Sequence, residues 1–430
     1  MELREYCPIE LPEGLDLPGD VVLGARAGSA VAELIGTHVG DRALWIADPA
    51  TWEAVASLDV TRSVDDDDLA LLALDAHADD ANVARVLREA TRRDATGLVA
   101  VGSGTVNDVA KLAATRAGVP YLVVGTAASM NGYASGIAAI LSDGLKTTVA
   151  ARPPRAIVLD SGILAAAPPA LGQAGLGDLI SKPVSTADWW LGHRLDGDSF
   201  DELPGRIVES AVAAAAAAAS GIPRRDPQAF ETLARALVLS GVSMVVAGKS
   251  SPASGGEHLI SHLWDMEALA EGRPLRLHGA QVGVATAITA ALYDRLLAFD
   301  RPAFPPPPSW HDEARRIARE HRALARIVIA PAERKHARTF ARRTALRGSW
   351  DRLRDELRAL AIPRPSEILA VLAAAQAPAS LAELGVSPDD ARRALLSARD
   401  IRDRFTVLDL AFECGYFPAH VDEVLAAAGV

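Results

Sequence analysis

Short uninterrupted apolar runs alternate with stretches of helical period along the first third of the chain. Ala43-Leu44-Trp45-Ile46-Ala47 ends at Asp48, Leu98-Val99-Ala100-Val101 at Gly102, Tyr121-Leu122-Val123-Val124 at Gly125, and Ala156-Ile157-Val158-Leu159 at Asp160. Runs this short, apolar at every position rather than every second one, suit strands covered on both faces, which is the condition of a parallel sheet. The stretches 80–93 and 106–117 suit the helices that would connect them. Beyond residue 160 the strand pattern stops, and Ala, Leu, Arg and Glu recur at helical spacing over 230–246, 311–325 and 349–360. The pattern predicts an α/β domain with a parallel sheet over 1–160 and an all-helical domain over 161–430. Pro305-Pro306-Pro307-Pro308 can be neither helix nor central strand and is expected to form a stiff connector. The acidic run 65–68 is expected as a solvated loop, and no internal repeat is present.

A length of 430 residues supports two or three domains at roughly 100–200 residues each. With 50% hydrophobic and 23% charged residues the chain has a globular composition. Its net charge of −11, from 55 acidic against 44 basic residues, argues against non-specific nucleic-acid binding, which needs a basic face. Only two cysteines, Cys7 and Cys414, are present. They make no disulfide framework and no CxxC pattern, so a reducing, cytoplasmic setting is the expectation. Residues 1–6 carry no basic-then-apolar leader pattern. No stretch reaches the ~18 uncharged apolar residues of a membrane helix; the alanine run 212–219 ends at Ser220-Gly221-Ile222-Pro223 and reads as a helix with a stop. The partner expected is a small molecule, with no nucleic acid and no membrane span, and a homo-oligomer is expected.

Val101-Gly102-Ser103-Gly104-Thr105-Val106-Asn107-Asp108 follows one strand candidate and opens a helix, with Lys111 further along it. Two glycines allow a tight turn and a close approach to a pyrophosphate, and the helix start offers N–H groups to it. Because residue 107 is Asn the pattern is not GxGxxG. A bare GxG is either a nucleotide site or a sharp strand–helix turn; its place between two buried strands favours the nucleotide. The next loop, Gly125-Thr126-Ala127-Ala128-Ser129-Met130-Asn131-Gly132-Tyr133-Ala134-Ser135, is small and polar, and Thr126, Ser129 and Ser135 could offer hydroxyls to a ligand. An ordinary polar loop is the alternative.

Three segments carry metal-ligand chemistry. Asp178 lies in Gly175-Leu176-Gly177-Asp178-Leu179. His258 and His262 are spaced i, i+4 in Ser254-Gly255-Gly256-Glu257-His258-Leu259-Ile260-Ser261-His262 and share one face if that stretch is helical. His278 follows in Leu277-His278-Gly279. One carboxylate with two or three imidazoles suits a catalytic divalent ion that keeps a position open. This is not HExxH, since residue 259 is Leu. His193, His311 and His336 read as ordinary histidines.

Taken in order, GSGTVND with Lys111, TAASMNGYAS, GLGDLISK, SGGEHLISHLWDM and LHGAQVG resemble the sn-glycerol-1-phosphate dehydrogenases, within the superfamily of glycerol dehydrogenase, iron-containing alcohol dehydrogenase and dehydroquinate synthase. The resemblance spans about residues 20–295. It implies a dehydroquinate synthase-like fold, with a Rossmann-like NAD(P)-binding α/β domain followed by a helical domain for metal and substrate. It implies Asp178, His258 and His278 as ligands of one zinc, nickel or iron ion, with His262 facing the substrate. It further implies Asp48 on the cofactor ribose, Gly102, Gly104, Thr105, Val106, Asn107 and Asp108 at the pyrophosphate, and Thr126, Ser129 and Ser135 as later NAD contacts. The family loop usually reads TAPSMDGY; here Ala128 replaces its Pro, and Asn131 replaces an Asp that contacts substrate. The implied activity is metal-dependent, NAD(P)H-linked interconversion of a small phosphorylated ketone and its alcohol, dihydroxyacetone phosphate and sn-glycerol 1-phosphate above all. His262 or a metal-bound water would relay the proton. Lys182, one turn beyond Asp178, is either a phosphate contact or a solvated surface lysine. The alternatives are a dehydrogenase of another polyol or of a phosphonate aldehyde, and a sugar-phosphate cyclase that keeps its NAD.

Overall fold

The computed structural model describes residues 3–142 and 145–430. Residues 1 and 2, which open the stretch read as lacking a leader, lie outside the described residues, as do 143 and 144. Two compact units emerge: residues 1–179 with 206–249, and residues 180–205 with 250–430.

The first unit is built on six parallel strands in the order β1-β8-β5-β4-β2-β3: β1 Asp20–Gly24, β2 Ala43–Ala47, β3 Leu69–Leu71, β4 Gly97–Gly102, β5 Tyr121–Gly125 and β8 Ala156–Asp160. Two further strands, β6 Ile137–Ser142 and β7 Leu145–Ala150, pair antiparallel as a separate ribbon. Every residue of β4 and β5 is buried, as both-face coverage requires. One face packs Val99, Val101, Leu122, Val124 and Val158 against Ala27, Val31 and Leu34. Burying each Val or Leu contributes about 1.5–3 kcal/mol. Because all six strands run the same way, their C-terminal ends line one edge, where such sheets bind ligands.

The last strand ends at Asp160, and no strand follows it among the described residues. The units nevertheless do not divide there. The helices Ser161–Ala166, Pro169–Leu179 and Pro227–Ala247 belong to the first unit. Close packing explains this: a Cβ on Gly172 would lie 2.6 Å from Phe230, and Pro227–Ala247 lies against β1 and β8. Pro227–Ala247 is long and apolar enough to cross a membrane by length and composition, yet 72% of its apolar window is buried inside the protein, as in a core helix.

The second unit is helical. Its centre is His278–Leu297, buried almost throughout, and a helix apolar on all sides belongs in a core. Around it pack Gly256–Ala270, Pro365–Ala374, Val407–Glu413 and Val421–Ala428. The four-proline segment is neither helix nor strand. It is strapped down rather than spanning open space: Arg343 donates to Pro305 O, and Arg347 to Phe304 O at 2.6 Å.

Candidate active-site residues

The β4 turn and the Gly104–Ala117 helix form the nucleotide candidate. Ser103 makes no side-chain cap, and the first backbone bond of the helix is Asn107 N to Ser103 O at 2.9 Å. The N–H groups of Gly104, Thr105 and Val106 therefore point out of the helix start, where they and the dipole favour an anion. The two glycines act differently. A Cβ at Gly102 would lie 2.7 Å from Val106 Cβ, whereas at Gly104 the nearest atom is Met130 Cγ at 3.9 Å. Gly102 lets the turn close and Gly104 leaves space above it, which fits a pyrophosphate.

Asp48 stands at the end of β2. Its carboxylate accepts from Thr51 N at 2.9 Å and caps the next helix. It also lines, with Ser103, Thr105, Val106 and the 72–76 loop, a cleft of about 90 Å³. Asp48 and the turn are thus brought to one place. The 72–76 loop escaped the sequence reading; its Leu74 is 71% exposed beside that cleft.

Other expected cofactor contacts face inward. Asn107 is fully buried, and its amide donates to Asp108 Oδ1 at 3.1 Å. Ser135 is also fully buried: it accepts from Lys111 Nζ at 3.1 Å and lies 3.0 Å from the carbonyls of Gly132 and Ile137. Ser135 holds its own loop rather than presenting a hydroxyl. Lys111 is the organising residue here. Its buried ammonium also donates to Gly132 O and, at 3.0 Å, to Ile137 O, and burial lowers its pKa to about 8 against a smaller opposing effect of Asp108. Thr126 is buried, while Ser129 and Asn131 are half-buried. Asn131 Nδ2 donates to Ser240 Oγ at 3.3 Å.

Asp178, buried, lies in the last turn of Pro169–Leu179. Gly175 on that helix allows contact with the loop, since a Cβ there would lie 1.9 Å from Ala128 O.

The histidines belong to the second unit. His258 and His262 lie on Gly256–Ala270, and His278 opens the next helix. Ring centroids are 5.2 Å apart for His258 and His278, 5.4 Å for His262 and His278, and 6.1 Å for His258 and His262. His258 Nδ1 is 2.7 Å from Glu257 Oε1, and His278 Nδ1 is 3.1 Å from Ser261 Oγ. Where Nδ1 donates to these oxygens, Nε2 keeps its lone pair for a metal, the usual arrangement of metal-binding histidines. The donor chemistry therefore fits a divalent ion. Sequence reading missed Glu257 and Ser261, although both adjoin the histidines in the chain. Behind them Asp188 accepts from Gly256 N at 2.6 Å, Tyr293 OH at 2.6 Å and Val407 N at 2.7 Å. Burial, then Glu257, pushes the Asp188 carboxyl up to about 7. Lys182 is buried, not a solvated surface lysine; its ammonium donates to Ala253 O at 3.2 Å.

The strand order and the uncapped turn fit a nucleotide-binding α/β domain. The iron-containing alcohol dehydrogenase family pattern matches residues 22–168. A glycerol-1-phosphate dehydrogenase (NAD(P)+) of Bacillus velezensis is 31% identical over 75% of this chain and 71% of its own. That of Halobacterium salinarum is 31% identical over 91% and 92%. A crystal structure of a probable glycerol dehydrogenase from Sinorhizobium meliloti shares the fold, with a TM-score of 0.63 at 18% identity over 96% of this chain and 98% of that one. The chain belongs to the glycerol-1-phosphate dehydrogenase family.

Proposed function

We propose that this chain is a metal-dependent NAD(P)H dehydrogenase that interconverts dihydroxyacetone phosphate and sn-glycerol 1-phosphate. The carrying observation is the histidine pair His258 and His278, 5.2 Å apart, with Nδ1 of each held by Glu257 or Ser261. Asp178, by the family resemblance, would add a carboxylate as the third ligand of one metal ion. Three protein ligands leave a position for substrate. When bound, a divalent ion there would polarise the substrate carbonyl, and the reduced nicotinamide would supply a hydride. The N–H groups of residues 104–106 hold the pyrophosphate, and the Asp48 carboxylate accepts from ribose hydroxyls. That carboxylate repels a 2′-phosphate, so NADH serves at least as well as NADPH. His262 would relay a proton to the substrate oxygen that takes up charge in the reduction. Asn131 offers its amide to a substrate hydroxyl. A cytoplasmic location suits the two cysteines, both free and buried.

The test is a substrate panel followed by NADH absorbance, with and without added zinc or nickel. Dihydroxyacetone phosphate should be turned over best, and only with metal present. Equal or better use of an unphosphorylated ketone, or full activity in enzyme shown to be metal-free, would contradict the reading.

A further inference from the structure

Within the second unit, the turn that precedes the His258 helix is surrounded by basic groups. Three consecutive carbonyls of that turn accept from side chains: Pro252 O from Ser185 Oγ at 2.9 Å, Ala253 O from Lys182 Nζ at 3.2 Å, and Ser254 O from Arg404. A second nitrogen of Arg404 donates to Ser250 Oγ at 3.0 Å. Arg402 and Arg404 are both half-buried. Arg404 makes no ion pair among the described residues, and its hydrogen bonds end on neutral oxygens. Glu257, Asp188 and Asp198 are the carboxylates that act on it. Glu257 Oε1 already accepts from Gly255 N and meets His258; both oxygens of Asp188 are taken by backbone N–H groups and Tyr293. Burial, then the like charge of Arg402, lowers the Arg404 pKa. A guanidinium in this position gains from an anion, and its fork matches two phosphate oxygens. The N-terminus of Gly256–Ala270 is not the seat, because its first N–H groups end on Glu257 and Asp188.

We propose that Arg404, with Arg402 beside it, receives the phosphate of the substrate and sets the preference for a phosphorylated ketone. This rests on the dehydrogenase reading above. Lys182 and Ser250 belong to the same cluster, at the turn that ends four residues ahead of His258.

Arg404→Gln and Arg402→Gln are compared with the parent enzyme in three measurements. The first is the ratio of kcat/KM for dihydroxyacetone phosphate over dihydroxyacetone. The second is thermal protection by inorganic phosphate, and the third is bound metal per chain. In Arg404→Gln the ratio should fall about a hundredfold, the scale of a lost charged contact, phosphate protection should disappear, and metal content should hold. Arg402→Gln should shift the same two readouts by a smaller factor. An unchanged ratio, or equal loss on both substrates with loss of metal, would mean that Arg404 only pins the turn. If the parent enzyme fails to reduce dihydroxyacetone phosphate, the dehydrogenase reading falls. Phosphate protection that persists in both variants overturns the phosphate assignment on its own.

Discussion

His258 is oriented by its own chain neighbour. Glu257 is fully buried and holds Nδ1 of His258 at 2.7 Å. Replacing Glu257 by Gln keeps an acceptor but removes the carboxylate charge behind the ring, so metal affinity should fall about 10–100-fold, read by titration against a competing chelator. His258→Ala should lose the ion altogether, measured as metal per chain, with its circular dichroism unchanged. Retained metal in that variant would exclude His258 as a ligand. Asn131→Asp restores the residue of the usual family loop, so kcat/KM for dihydroxyacetone phosphate should be held or rise. A loss on dihydroxyacetone phosphate and a short phosphonate aldehyde but not on dihydroxyacetone would show instead that the added charge repels the anionic group. The proposed ligands were legible in the sequence because Asp and His in glycine-rich apolar settings stand out. Glu257 and Ser261 were not, because a capping-type Glu and a helical Ser look ordinary until the fold turns them toward a ring. Ser135 misled for the opposite reason: its setting looked ligand-facing, but Lys111 lies behind it.

Lys111 acts at the scale of an element. It ties the Gly104–Ala117 helix to the loop that carries Asn131 through Gly132, Ser135 and Ile137. Its folded pKa of about 8 lies below the ordinary 10.5. Between those values the unfolded chain binds more protons, so stability rises with pH across that window, by up to about 3 kcal/mol. Denaturant titrations at pH 7.5 and 10 should show this gain in the parent and not in Lys111→Met; the same gain in both would assign it elsewhere. Strands β2, β4, β5 and β8 were readable because they are buried on both faces and apolar throughout. β1, β3 and the β6–β7 ribbon were not: β3 has only three residues, and the β6 burial alternates irregularly.

At the scale of the whole molecule, the sequence located where strands stop but not where the units part. A change from strand to helix marks composition, whereas a unit boundary depends on which helices pack on the sheet. The helices beyond residue 300, opaque in the sequence, clamp the second unit from within. Arg342, 3% exposed, binds Glu413 at 2.7 Å and Asp196 at 2.8 Å. Arg342→Ala strands the buried Glu413 carboxylate and leaves Asp196 to Arg338 alone, so it should cost about 3–5 kcal/mol, seen as a lowered denaturation midpoint; a loss below 1 kcal/mol would show the clamp to be solvated.

The reaction itself is tested by following NADH oxidation and product together in metal-loaded enzyme given dihydroxyacetone phosphate, with the product resolved by enantiomer. One NADH should be consumed for each ketone reduced, and the product should be sn-glycerol 1-phosphate. Substrate loss without net NADH oxidation, or sn-glycerol 3-phosphate as the product, would contradict the assignment.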